Sequence, residues 1–279
     1  MSGRKVLLIG AISGLMGSAA SAGLVADFES PTFTAPTHYG VGPMADGWSV
    51  LASYADITPG VSPQRFAAYP APPNFDQVLS GSQSLAVEGN SGWVTKRISS
   101  DPDLGDGATL SWLMRVDGTT GAVSAGLSKT LGGINAGFAV PVGGNFAVTG
   151  GSTIPDATLA LTTTHVYLME MTLDFTNGAF EGYVTDNTIA GPRTHIGHAS
   201  FTTGITVSDI LTAGGIFIDT NVQGPANFAG PPGGNPLDPN YYSGAPFFDD
   251  FKITAVPEPA SAGLLSLGAL ALLRRRRGA

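Results

Sequence analysis

The chain contains no cysteine. A disulfide framework, a thiolate metal site and a cysteine nucleophile are therefore excluded. The lack does not place the chain in the cytosol, because an oxidising compartment permits disulfides without requiring them. Charge is scarce as well. Asp, Glu, Lys and Arg make up 12% of the 279 residues, against a usual share of about 25%. The shortage is greatest for basic residues in the body. Arg4 and Lys5 lie at the start and Arg274 to Arg277 at the end, leaving seven basic and twenty acidic residues in 23–255, a net charge of −13. Such a surface repels phosphate backbones and argues against DNA or RNA as a partner. It suits an extracytoplasmic protein, and one able to hold divalent cations. Several motifs are missing too. The body has no G-x-S-x-G, no H-E-x-x-H, no Gly-rich loop followed by Lys-Ser/Thr, and no solenoid-length repeat.

What is present begins with two unusual ends. Arg4 and Lys5 precede an apolar run from Val6 to Met16, and Ala20-Ser21-Ala22 places small residues before Gly23. This order reads as a secretory signal over 1–22, helical in its apolar part and removed by signal peptidase. At the other end Pro257-Glu258-Pro259 is followed by fourteen apolar or small residues, Ala260 to Leu273, and then by Arg274, Arg275, Arg276 and Arg277. As a helix the apolar stretch spans about 21 Å, against a hydrocarbon core of about 30 Å. It is a marginal transmembrane helix, and the arginines would hold its end on the cytoplasmic side. This ending resembles the PEP-CTERM sorting signal of Gram-negative bacteria. The resemblance implies transient anchoring in the inner membrane, recognition by the membrane protease exosortase, a cut near the Pro-Glu-Pro, and release to the cell surface or extracellular matrix.

Between the ends, residues 23–255 read as one all-β domain. Short β-prone runs recur between Gly, Pro, Asn and Asp: Leu24–Phe28, Ser84–Glu88, Trp93–Ile98, Thr109–Val116, Val123–Ser128, Gly137–Val142, Asn145–Thr149, His165–Phe175, Ala179–Thr185, Gly215–Asp219 and Phe247–Thr254. Tyr167, Met169, Met171, Leu173 and Phe175 alternate on one strand face, and Asn177-Gly178 offers the positive-φ pair of a tight hairpin. Residues 29–80 and 221–246 have few clean strands and read as long ordered loops. The order of Asp27-Phe28-Glu29, Asp46-Gly47-Trp48, Ser80-Gly81-Ser82-Gln83-Ser84-Leu85, Ser111-Trp112-Leu113-Met114-Arg115 and Phe248-Asp249-Asp250-Phe251-Lys252-Ile253 resembles concanavalin A-like lectin/glucanase domains. That resemblance implies an antiparallel jelly-roll β-sandwich, with first and last strands side by side. The expected organisation is a signal peptide (1–22), a sandwich (23–255) and a sorting tail with a short apolar helix (256–279).

Few residues suggest chemistry. Glu29, Asp249 and Asp250 form the best candidate for a structural calcium, which takes six to eight oxygen ligands. Asp249 and Asp250 are adjacent on a strand, so one of them would face away. Trp48, Tyr241 and Tyr242 are candidate aromatic contacts for a sugar, and Trp93 and Tyr69 are further ones. His195 and His198 form H-x-x-H, but Gly191-Pro192 and Gly197 argue against a helix, and they read as strand or loop histidines. Glu170 and Asp174 are the nearest match to a glycosidase pair. On one strand they would lie about 13–14 Å apart, too far for the roughly 5–5.5 Å of a retaining mechanism. No catalytic residue is assigned, and an enzyme is not expected. The expected role is that of an exported surface or matrix protein, structural or adhesive, with weak binding to extracellular polysaccharide. The alternatives are a glycoside hydrolase of the same fold or an inert spacer.

Overall fold

The computed structural model describes residues 23–29, 31–33, 37–39, 41–52, 55–59, 79–81, 83–87, 90–98, 106–117, 120–131, 133–202, 204–223 and 246–255. The expected signal peptide, the sorting tail with its helix and arginines, and Tyr241 and Tyr242 lie outside the described residues. Among the described residues no helix is long and apolar enough to cross a membrane.

Seventeen strands are described: β1 (Gly23–Ala26), β2 (Thr37–Tyr39), β3 (Gly42–Pro43), β4 (Trp48–Ala52), β5 (Ala55–Pro59), β6 (Gln83–Val87), β7 (Asn90–Arg97), β8 (Gly107–Val116), β9 (Thr120–Ser128), β10 (Ala136–Pro141), β11 (Ala147–Thr149), β12 (Thr153–Pro155), β13 (Tyr167–Asp174), β14 (Ala179–Asp186), β15 (Thr194–Ser200), β16 (Gly215–Gln223) and β17 (Pro246–Ala255). They form two antiparallel sheets. The larger has ten strands in the order β12-β15-β14-β13-β8-β17-β6-β5-β2, with β1 also paired to β17; the smaller has seven, β11-β10-β9-β16-β7-β4-β3. The chain passes repeatedly from one sheet to the other, as in the expected jelly-roll sandwich. First and last strands pair, Gly23 opposite Ile253.

Alternation in the sequence explains the core. In β13, Tyr167, Met169, Met171 and Leu173 are buried and the residues between them face outward. From β8 come Leu110, Trp112 and Met114, and the seven-stranded sheet answers with Val123, Ala125, Leu127, Phe138, Ile216 and Ile218. Each large apolar side chain buried this way contributes about 1.5–3 kcal/mol. Gly182 faces inward on β14, where a Cβ would come within 3.0 Å of the Phe138 ring and closer still to Val148. A glycine there lets the two sheets approach.

Two expectations are corrected. Residues 29–80 are not only loop: β2 to β5 lie within them. These strands are only two to five residues long, too short for alternation to stand out. The β13–β14 connection is a four-residue turn, with Asp174 opposite Ala179. Gly178 has φ +63°, but Asn177 is not in the positive-φ region. The Asp174 carboxylate instead accepts from the Asn177 backbone and side-chain nitrogens, at 2.9 and 2.6 Å, and this local bond stabilises the longer turn.

Candidate functional site

The sandwich presents two outer sheet faces, and their chemistry differs. On the ten-stranded sheet, outward positions of neighbouring strands carry charge. Glu170, Tyr183 and His195 lie in one row across β13, β14 and β15, with Ser111 and Lys252 continuing it on β8 and β17. A β-bulge explains why His195 and His198 both face out although they are three residues apart. Register shifts between Gly182 and Tyr183, and Gly197 has φ +155°. The extra residue reverses the alternation that would otherwise turn one imidazole inward.

Among the described residues of this face, the charged side chains are paired. His195 Nδ1 lies 2.7 Å from Asp156 Oδ2 and its Nε2 2.6 Å from Glu181 Oε2. His198 Nδ1 lies 3.0 Å from Glu181 Oε1. Arg193 Nε donates to Glu170 Oε2 at 2.9 Å, and its guanidinium lies 3.4 Å from the centre of the Tyr183 ring. Lys252 pairs with Asp250 at 3.1 Å. Since ionised carboxylates only accept, His195 satisfies both neighbours as imidazolium. Partial burial works against that charge, but the hydrogen bonds and negative charges of Asp156 and Glu181 outweigh it and raise the pKa of His195. The two histidines lie on β15, one of the two settings, strand or loop, expected for them. Their meeting with Glu181 was missed, and the break in alternation at Gly197 was the signal for it.

Among the described residues, the face of the seven-stranded sheet carries few charges. One row across four strands holds Trp93 on β7, Asp219 on β16, Ser124 on β9 and Ala139 on β10. Trp93 Nε1 donates to Asp219 Oδ1 at 3.0 Å, and its ring lies 6.1 Å from that of Phe217. Trp93 remains 40% exposed, whereas Phe217 and Thr95 in the adjacent row are buried. Burial raises the pKa of Asp219, opposed by the indole N–H.

The carboxylates expected to hold calcium face protein donors. Glu29 Oε1 accepts from the Gln83 amide at 3.0 Å. Asp249 is fully buried; its Oδ2 accepts from Ser80 N and Ser84 Oγ and its Oδ1 from Asp250 N, at 3.0, 2.9 and 2.8 Å. Burial pushes the Asp249 pKa up to about 8, although these hydrogen bonds favour the ionised form. Asp250 adopts φ +52° at a bulge and reaches Lys252. In this arrangement Glu29, Asp249 and Asp250 are engaged by N–H, O–H and ammonium groups. Trp48 is also corrected. It is wholly buried among Phe28 and Phe251, at 5.2 and 5.3 Å between ring centres, because its strand turns it toward the core. It has no exposed face for a sugar.

The end of the chain carries the clearest relationship. Residues 255–277 match the PEP-CTERM protein-sorting motif. That motif marks its carrier for exosortase-sorted export to the cell surface or extracellular space. No curated protein matches the chain. Among solved structures, the exported chain is similar to peanut lectin (10% identity, covering 64% of this chain and 88% of that one, TM-score 0.39). It is also similar to the catalytic domain of the glycoside hydrolase family 131 protein from Coprinopsis cinerea (11% identity, 65% and 74% covered, TM-score 0.41). Lectin II from Ulex europaeus is a third such structure (11% identity, 63% and 88% covered, TM-score 0.35).

Proposed function

We propose that this is a non-enzymatic surface or matrix protein, sorted by exosortase and left outside the cell in a structural or adhesive role. It passes through a transient membrane-anchored stage, and its body binds extracellular polysaccharide weakly. The sorting motif at 255–277 carries this reading. Two features of the body support it. The net charge of −13 over residues 23–255 keeps a matrix protein soluble and away from nucleic acid. The half-exposed Trp93 beside a carboxylate is a group that can stack on a sugar ring while its neighbour accepts a hydroxyl hydrogen bond.

A hydrolase is the reading from another class. Glu170 is paired with Arg193, and Asp174 is used in the β13–β14 turn. Both lean toward structural work rather than general acid and nucleophile. In the host, deleting residues 257–277 should abolish appearance of the protein on the surface or in the matrix while leaving its synthesis intact. Unchanged surface delivery would refute sorting by this tail. Reducing-sugar release from β-glucans that disappears in Glu170→Gln would refute the non-enzymatic reading.

A further inference from the structure

The two outer faces are not equivalent as ligand surfaces. On the ten-stranded sheet, Glu170, Glu181, Asp156 and Asp250 are each bonded to a cationic side chain or an imidazole. A ligand there would have to break ion pairs. On the seven-stranded sheet, the row Trp93, Asp219, Ser124 and Ala139 offers an aromatic face, one carboxylate and two small side chains. Strands are about 4.8 Å apart, so this row extends about 14 Å from β7 to β10. The Trp93 ring is held by its bond to Asp219, so little side-chain freedom is lost when a ligand covers it.

We propose that this row is a binding strip for neutral pyranose chains, the apolar face of one sugar lying on Trp93 and its hydroxyls reaching Asp219 and Ser124. The proposal rests on the polysaccharide reading above and adds its location and ligand class. Charge selects the class. Asp219 stands beside the ring and the body is strongly acidic, so polyuronates are repelled and neutral polymers are not. Trp93 also gives a direct readout. The chain has three tryptophans, and Trp48 and Trp112 are fully buried.

Affinity electrophoresis of the full chain through gels containing a neutral β-glucan, a neutral galactomannan or alginate tests the strip. A neutral polymer should retard the protein and shield its fluorescence from acrylamide, and alginate should do neither. Trp93→Ala should weaken retardation about tenfold or more, and Trp93→Phe should retain most of it with an unchanged melting temperature. Retardation untouched in Trp93→Ala, or alginate bound as tightly as the neutral polymers, would overturn the strip while leaving polysaccharide binding standing. If no polymer retards the wild-type chain, both ideas fall.

Discussion

His195 faces one carboxylate with each ring nitrogen, and its pKa is raised. Protonation is therefore linked to folding. A group whose pKa is raised in the folded state stabilises fully below its unfolded value, about 6.5, and that contribution fades as pH rises through the folded value. The pairs are partly exposed, so their worth is about 0.2–1 kcal/mol. His195→Gln should melt below the wild type near pH 6, and the two melting curves should converge by pH 9. A gap of the same size at both pH values would show that the imidazolium contributes nothing. Asp249 follows the same sign with a wider window. Its folded pKa of about 8 lies above the ordinary carboxylate value of about 3.9. Wild-type stability should decline between those limits as pH rises, because unfolding then releases the proton that the buried carboxyl keeps. Asp249→Asn has no such proton, so thermal melts from pH 5 to pH 9 should show its stability rising relative to the wild type.

Elements differ in how plainly their residues announce them. β8, β13, β14 and β17 are eight to ten residues long, and inward residues such as Met169 and Val184 alternate with polar ones. All eleven strands expected from such patterns are found. β15 was missed because the bulge at Gly197 interrupts its alternation, and β4 because Trp48 looked like a surface aromatic rather than the start of a strand. The helix α1 (Val207–Thr212) is also too short to detect by periodicity. Its capping box was legible afterwards: Thr206 Oγ1 accepts from the Asp209 amide at 3.1 Å and the Asp209 carboxylate accepts from Thr206 N at 2.9 Å. The candidate site was less legible than the fold. Which aromatic is exposed depends on sheet partners distant in sequence, and that is why Trp93 rather than Trp48 reaches solvent. The bulge itself can be tested. At Gly197 a Cβ would lie 2.5 Å from the Ile154 carbonyl oxygen of β12, at a φ that side chains rarely adopt. Gly197→Ala should cost about 1–3 kcal/mol in denaturant unfolding and separate His195 from Glu181; a cost near zero would contradict the packing described for this edge.

At the scale of the whole molecule, the sandwich brings its two ends together. Gly23 pairs opposite Ile253, two residues from the start of the sorting motif at 255. The segment before the sandwich and the sorting tail after it therefore join the body at neighbouring points of one sheet. Ordering of the body relies on its apolar core, and Glu29, Asp249 and Asp250 are engaged by protein groups. EDTA should accordingly leave the melting midpoint unchanged, and a fall reversed by added calcium would reveal a cation site.

The most direct test of the account is the mass of the C-terminal peptide from protein recovered at the host cell surface or in its matrix. Exosortase sorting predicts a chain ending near Pro257–Pro259, without Arg274–Arg277. Recovery there of a chain that still carries the four arginines would contradict it.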